Sequence, residues 1–137
     1  GRYNMLNREP EEEGILQDAQ EQGSGFVAFS PLAQGLLTDR YLQGIPSDSR
    51  VARGGYLKKE ALTPELLRRI AALNEIASRR GQTLAEVALA WLLKDNRVTS
   101  VIVGASSVEQ LSDNLKALRN TSFTAEELSE IDRIIKG

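Results

Sequence analysis

Two short apolar runs, Gly25-Phe26-Val27-Ala28-Phe29 and Thr99-Ser100-Val101-Ile102-Val103, constrain this chain most, because helical patterns precede and follow each of them. The first is bounded by Gly and by Ser-Pro, and fits a strand buried on both faces. The second is β-branched and stops at Gly104, which also marks a strand. Strands that alternate with helices imply right-handed βαβ crossovers and a parallel sheet, hence an α/β fold. A third, short strand is expected near Arg2, Tyr3 and Asn4.

The helices announce their own starts. The acidic run Glu11, Glu12, Glu13 precedes Ile15, Leu16 and Ala19, so a helix is expected over about residues 11–22, with Gly23 past its end. Thr63-Pro64-Glu65 supplies an N-cap, a proline at the first helical position and an acid. Leu66, Leu67, Ile70, Leu73, Ile76 and Ala77 then recur at helical spacing until Gly81. Three further starts carry the S/T-x-x-E/Q capping box: Thr83 with Glu86, Ser107 with Gln110, and Thr124 with Glu127. They open helices expected over about residues 84–94, 108–118 and 125–136. Between the first run and Thr63 lies a connection over residues 30–62, rich in Gly, Pro, Ser and Arg and broken only by Leu36-Leu37. A loop this long within a compact domain is usually functional.

Three parallel strands leave a difficulty. The runs Phe26 to Phe29 and Val101 to Val103 carry no charge or proline to protect an exposed edge. A parallel sheet is normally covered on both faces and continued on both sides. Residues 1–137 therefore read as a single partial domain, a piece of a larger sheet or barrel. With 17 Lys+Arg against 19 Asp+Glu, the formal net charge of −2 points away from nucleic acid and membrane surfaces as partners. The absence of cysteine excludes disulfides and thiolate chemistry, and the absence of histidine excludes His-ligated metals and His-activated nucleophiles. No apolar run approaches the roughly 20 residues that span a bilayer. The opening residues lack the apolar core of a signal peptide, so the expected compartment is cytoplasmic.

Three segments could carry chemistry. Gly104-Ala105-Ser106-Ser107 lies directly after a strand and before a capped helix, where free amides and the positive dipole end suit a phosphate. Gln110, Asp113 and Asn114 on the following turns could bond a sugar or a base edge. The same residues also make an ordinary strand-to-helix turn with Ser107 as cap. Phe29-Ser30-Pro31-Leu32-Ala33-Gln34-Gly35 follows the other strand, at the end where parallel α/β folds bind ligands. There an aromatic can stack on a flat ring and loop amides can hold phosphate, although core packing and a tight turn would also explain these residues. Arg40, Arg50 and Arg53 in the long loop suit an anion, or simply water. All three segments fall at one end of one sheet and fit a single elongated anionic ligand with an aromatic ring.

The stretches YN near the start, FSPLAQGLLTDRYLQGIPSDSR and VTSVIVGASSVEQLSDNL resemble the C-terminal part of an aldo-keto reductase. The closest likeness is to the branch that holds bacterial glyceraldehyde-phosphate and methylglyoxal reductases and potassium-channel β subunits. The resemblance implies a (β/α)8 TIM barrel of which this chain holds strands six to eight with their helices, and an NADPH (NADP) cofactor across the C-terminal ends of the strands. By that resemblance Phe29 stacks on the nicotinamide and Ser30, Pro31, Leu32, Ala33, Gln34 and Gly35 wrap the pyrophosphate. Arg40 stands where relatives usually have lysine, after Asp39 where they usually have glycine. Arg50 matches the loop over the cofactor, and Gly104, Ser106, Gln110, Asp113 and Asn114 match the adenosine and 2′-phosphate site.

The same resemblance implies reduction of small aldehydes and ketones by a Tyr, Lys, Asp and His set that belongs to the N-terminal half of the barrel. Tyr3, Tyr41 and Tyr56 do not stand in the matching context. The chain is expected to hold cofactor without reducing carbonyls alone. Its expected partners are the N-terminal half of the barrel, or a second copy through the strand edges. The alternative is a non-catalytic NADP-binding module that regulates or oligomerises, and a small α/β domain without ligand is the remaining possibility.

Overall fold

The computed structural model describes residues 1–38, 63–105 and 107–136. Its elements follow the expected order: α1 (Glu9–Glu12), α2 (Ile15–Glu21), β1 (Val27–Ala28), α3 (Pro64–Arg79), α4 (Leu84–Leu92), β2 (Ser100–Val101), α5 (Val108–Leu115) and α6 (Ala125–Lys136). Short 3-10 turns cover Ala33–Gly35 and Lys116–Arg119.

Strand β1 pairs with β2 in parallel, Val27 opposite Ser100 and Ala28 opposite Val101. On its other side a parallel bridge joins Phe29 to Arg2. Hydrogen bonds extend the ladder beyond these short strands. The Thr99 amide donates to the Phe26 carbonyl at 2.8 Å, and the Ile102 amide to the Ala28 carbonyl at 2.9 Å. Opposite, the Phe29 amide donates to the Gly1 carbonyl at 3.0 Å. The three expected strand segments therefore lie side by side and parallel, with β1 in the middle.

One helix expected over residues 11–22 is two. Gly14 sits at φ +77°, a left-handed conformation that glycine adopts without steric cost, and it separates α1 from α2. The other starts follow the capping chemistry. Thr63 accepts the Leu66 amide at 3.1 Å. Thr83 and Glu86 close a complete capping box, as do Thr124 and Glu127. Ser107 accepts the Gln110 amide at 3.1 Å.

The core sits on one face of the sheet. Tyr3, Met5, Phe26 and Ala28 meet Leu16 of α2, Ile70, Leu73 and Ile76 of α3, Leu84, Val87 and Trp91 of α4, and Ile131 of α6. Every residue of α4 is buried, so burial rather than an amphipathic pattern places it. Arg80 ties α3 to α6. Its guanidinium donates to the Asn120 and Ser122 carbonyls and to Glu127, and lies 3.8 Å over the Phe123 ring.

The expectation that residues 25–29 are buried on both faces is corrected. Phe26 and Ala28 point into the core, but Val27 is 44% and Phe29 43% exposed, and Ile102 beside them is 60% exposed. Side chains alternate across a strand, and no described helix covers the second face. Helix α5 is as bare. It has no buried residue, and Val108, Leu111 and Leu115, with Leu118 just beyond, are exposed. Among the described residues no helix is long and apolar enough to cross a membrane.

Candidate functional site at the ends of the parallel strands

The C-terminal ends of three parallel strands bring together Asn4, the turn after Phe29, and Gly104 with the first turns of α5. Asn4 is 2% exposed. Its amide donates to the Ser30 carbonyl at 2.9 Å, and its Oδ1 accepts the amides of Leu6 and Asn7 at 2.9 and 2.8 Å. A buried polar side chain is retained only where its bonds are made, and Asn4 makes three. The backbone it grips is strained, with Ser30 at φ +54° and Ala33 at φ +50°. A non-glycine residue in that region costs of order 1–3 kcal/mol, and such strain clusters at ligand clamps. Sequence reasoning picked out YN but not the role of Asn4. The available signal was an asparagine directly after a strand, followed at the third position by Asn7.

The turn divides its residues. Pro31 is buried, Leu32 and Ala33 pack on the core, and Leu36 and Leu37 are buried behind them. The amides of Ala33, Gly35, Leu36 and Leu37 are satisfied within the turn. Ser30 is partly buried, and Gly35, at φ +93°, is partly exposed. Phe29 presents its half-exposed ring at the mouth of the strand.

Three residues past β2, Gly104 is exposed and a Cβ built there would meet nothing within 4 Å. Space above this strand end is therefore open, and Ser107, Val108 and Gln110 of the following cap and first turn face outward. Asp113 and Asn114 are partly buried on the next turn. Asp113 accepts a hydrogen bond from the Thr83 hydroxyl at 3.1 Å. Glu86, 7% exposed, shares this corner. Burial and then the neighbouring Asp113 raise the Glu86 carboxyl above its ordinary value, although the Thr83 amide works the other way. No sequence pattern announced this link between α4 and α5. Ser106, Asp39, Arg40, Arg50, Arg53, Tyr41 and Tyr56 lie outside the described residues, and so does the Gln34 side chain.

An exposed ring, an open glycine and a helix start on adjacent strand ends fit a long ligand with a flat ring and phosphates, such as a nicotinamide dinucleotide. No proton donor for carbonyl chemistry accompanies them among the described residues. Histidine is absent from the sequence. Tyr3 is fully buried between Phe26 and Trp91, and burial first, with the Glu11 carboxylate beside it, pushes its hydroxyl far above the ordinary range. Among the described residues no group of His, Cys, Asp and Glu could hold a metal ion.

Similarity to characterised proteins runs along the whole chain. An L-glyceraldehyde 3-phosphate reductase of Escherichia coli O157:H7 is 53% identical over 138 residues, covering 97% of this chain and 40% of that protein. A probable voltage-gated potassium channel subunit beta of Arabidopsis thaliana is 41% identical over 119 residues, covering 85% of this chain and 36% of that protein. A counterpart from Oryza sativa subsp. japonica is 37% identical over 138 residues, covering 98% and 42%. The chain thus spans about 40% of the length of the curated relatives it matches. Residues 1–136 match the model described as the Aldo/keto reductase family. The chain belongs to the aldo/keto reductase family.

Proposed function

We propose that this chain is the C-terminal, NADPH-holding part of an oxidoreductase that reduces small aldehydes and ketones, sugar-phosphate or methylglyoxal-like aldehydes among them. The observation that carries this reading is the half-exposed Phe29 ring directly after β1 and the open Gly104 three residues past β2, its parallel neighbour. Phe29 would stack on the nicotinamide, and the turn from Ser30 through Pro31, Leu32, Ala33 and Gln34 to Gly35 would follow the pyrophosphate. Arg40 and Arg50 would close over it. Gly104, Ser106, Gln110, Asp113 and Asn114 would hold the adenosine and 2′-phosphate. When bound, NADPH supplies a hydride to the carbonyl carbon.

Asn4 holds the Ser30 backbone in its strained conformation, so the turn is shaped before any ligand arrives. The Thr83 bond holds Asp113 against α4, so that carboxylate is oriented in advance as well. Among the described residues none supplies the proton for the alkoxide within this site, and this reading assigns that donor to the N-terminal half of the barrel.

The same reading accounts for the bare surfaces. Val27, Phe29 and Ile102 would face the interior of a (β/α)8 barrel of which these are strands six to eight. The α5 stripe would pack on the N-terminal half. Exposed stripes of this kind forgo about 1.5–3 kcal/mol per large apolar side chain, which is why they mark partner surfaces. Calorimetric titration with NADPH, of the chain alone and mixed with the N-terminal half of a homologous reductase, tests the proposal. Binding that tightens in the mixture supports it. Folded protein that binds in neither case overturns it.

The likeness to channel subunits beta favours a second reading, a non-catalytic NADP-binding module that self-associates through the bare faces. Size-exclusion chromatography separates the two, since a stable monomer contradicts self-association.

A further inference from the structure

The turn after the first strand segment is closed on itself. The Asn4 backbone amide donates to the Asn7 carbonyl at 3.1 Å, and the Asn7 amide to the Asn4 carbonyl at 3.2 Å. Asn7 Oδ1 accepts the Glu9 amide at 3.2 Å, and the Arg8 carbonyl accepts the amides of Glu11 and Glu12. With the two amides that Asn4 Oδ1 takes, residues 4–12 form one hydrogen-bonded strap. Asn4, at its start, holds the Ser30 carbonyl. Met5 and Pro10 within it are buried.

Arg8, in the middle of the strap, joins it to two helices. Its side chain is 9% exposed. The guanidinium donates to both carboxylate oxygens of Glu11, within the strap, and to Asp132 of α6 at 3.1 Å. It also stands 4.4 Å from the centroid of the Trp91 ring of α4. Among the described residues no other hydrogen bond or ion pair links the strap to α6. Beside this pair, a cavity of about 420 Å³ lies between Leu6, Asn7, Glu9 and Glu12 of the strap and Ile135 and Lys136 at the end of α6. Open space there leaves the ion pair to set the distance between the strap and the last turn of α6.

We propose that Arg8 is a positioning residue: its pair with Asp132 couples helix α6 to the Ser30 turn, through the strap and Asn4. Ser30 is at φ +54°, a conformation that persists only where its surroundings hold it. A strap displaced at Arg8 carries Asn4 with it and relaxes that turn. Arginine suits the task, because its planar fork spans two carboxylates where an ammonium is a point charge. The consequence for cofactor rests on the reading of this turn as an NADPH site; the coupling itself does not.

Hydrogen exchange of the full chain, read amide by amide by NMR, tests it. The reporters are Leu6 and Asn7, which donate to Asn4, and Ala33, which donates to the Ser30 carbonyl at 3.1 Å. Asp132 is 44% exposed, so the pair is worth at most about fivefold in an opening equilibrium, and Asp132→Ala should speed exchange at all three reporters about threefold. Leu111, whose amide donates to Ser107 at the start of the exposed α5, should keep its rate. Asp132→Glu should restore the parent rates, and Arg8→Lys should reproduce the Asp132→Ala pattern. Unchanged exchange at Ala33, or an equal acceleration at Leu111, overturns the proposal. In the mixture with the N-terminal half, Asp132→Ala should also weaken NADPH binding about threefold, and an affinity equal to the parent's overturns it too. A parent that binds no NADPH sinks the cofactor reading, and the exchange pattern still decides the coupling.

Discussion

The Thr83 hydroxyl donates to the Asp113 carboxylate at 3.1 Å while accepting the Glu86 amide at 3.1 Å, so one side chain caps α4 and anchors the second turn of α5. Thr83→Val keeps the shape and removes both bonds. Loss of a cap costs about 1 kcal/mol, and chemical denaturation should show a destabilisation of that order. Thr83→Ser should restore it. If the adenosine end of the cofactor rests on Asp113, nucleotide affinity should fall with Thr83→Val and return with Thr83→Ser.

The same corner sets a pH dependence. Glu86 has a folded-state pKa above its unfolded value of about 4.5, because burial and then Asp113 disfavour its charge. Its contribution is therefore full below the unfolded value and is lost as pH rises through the folded one. Urea midpoints should fall over that interval just above pH 4.5. Glu86→Gln, which keeps the capping box, should remove that fall. A variant with the same pH profile as the parent would contradict the assignment.

Glu127 predicts the opposite limb. Burial opposes its charge, but the Thr124 amide and the Arg80 guanidinium outweigh burial and hold the carboxyl below its ordinary value. Its contribution is present above the unfolded value and is lost as pH falls through the folded one. Arg80→Met should cost about 1–3 kcal/mol by leaving the Ser122 carbonyl without its donor, and the Asn120 carbonyl and Glu127 with only Gln82 and the Thr124 amide. It should also flatten the acid limb of a stability-against-pH curve, measured by urea denaturation.

Asn4→Ala removes three hydrogen bonds from a buried position and releases the strained Ser30 backbone. At about 1 kcal/mol per bond the expected loss is about 3 kcal/mol, read as a lower unfolding midpoint. Asn4→Asp keeps the two accepted amides and loses the bond to Ser30. It should therefore separate stability from any effect on NADPH affinity.

The bare helix face separates a fragment from a complete molecule. Leu111→Lys with Leu118→Glu alters two exposed positions, so the unfolding free energy of this chain should stay within about 0.5 kcal/mol of the parent. Assembly with the N-terminal half of a homologous reductase, followed by size-exclusion chromatography, should be lost. A large destabilisation of the chain alone would show that this face already packs within it.

The sequence by itself determined the order of the elements and where the helices begin, because caps and helical spacing are local. Thr63, Thr83, Ser107 and Thr124 all accept the amides their positions implied. The parallel sheet was also legible, since alternating strand and helix patterns admit few topologies. The break at Gly14 escaped because the acidic run before it reads as the first turn of the helix that Ile15 and Leu16 continue, and only its left-handed φ reveals two helices. The one-sided burial of β1 escaped because an apolar run reads the same whether or not the second face is covered. For the site, the segments were visible as residue types, but their division was not. Which turn residues face inward, that Asn4 clamps Ser30, and that Thr83 reaches Asp113 depend on contacts between residues 26 and 30 positions apart. Local patterns specify where hydrogen bonds must be satisfied; only the packed chain decides which distant group satisfies them.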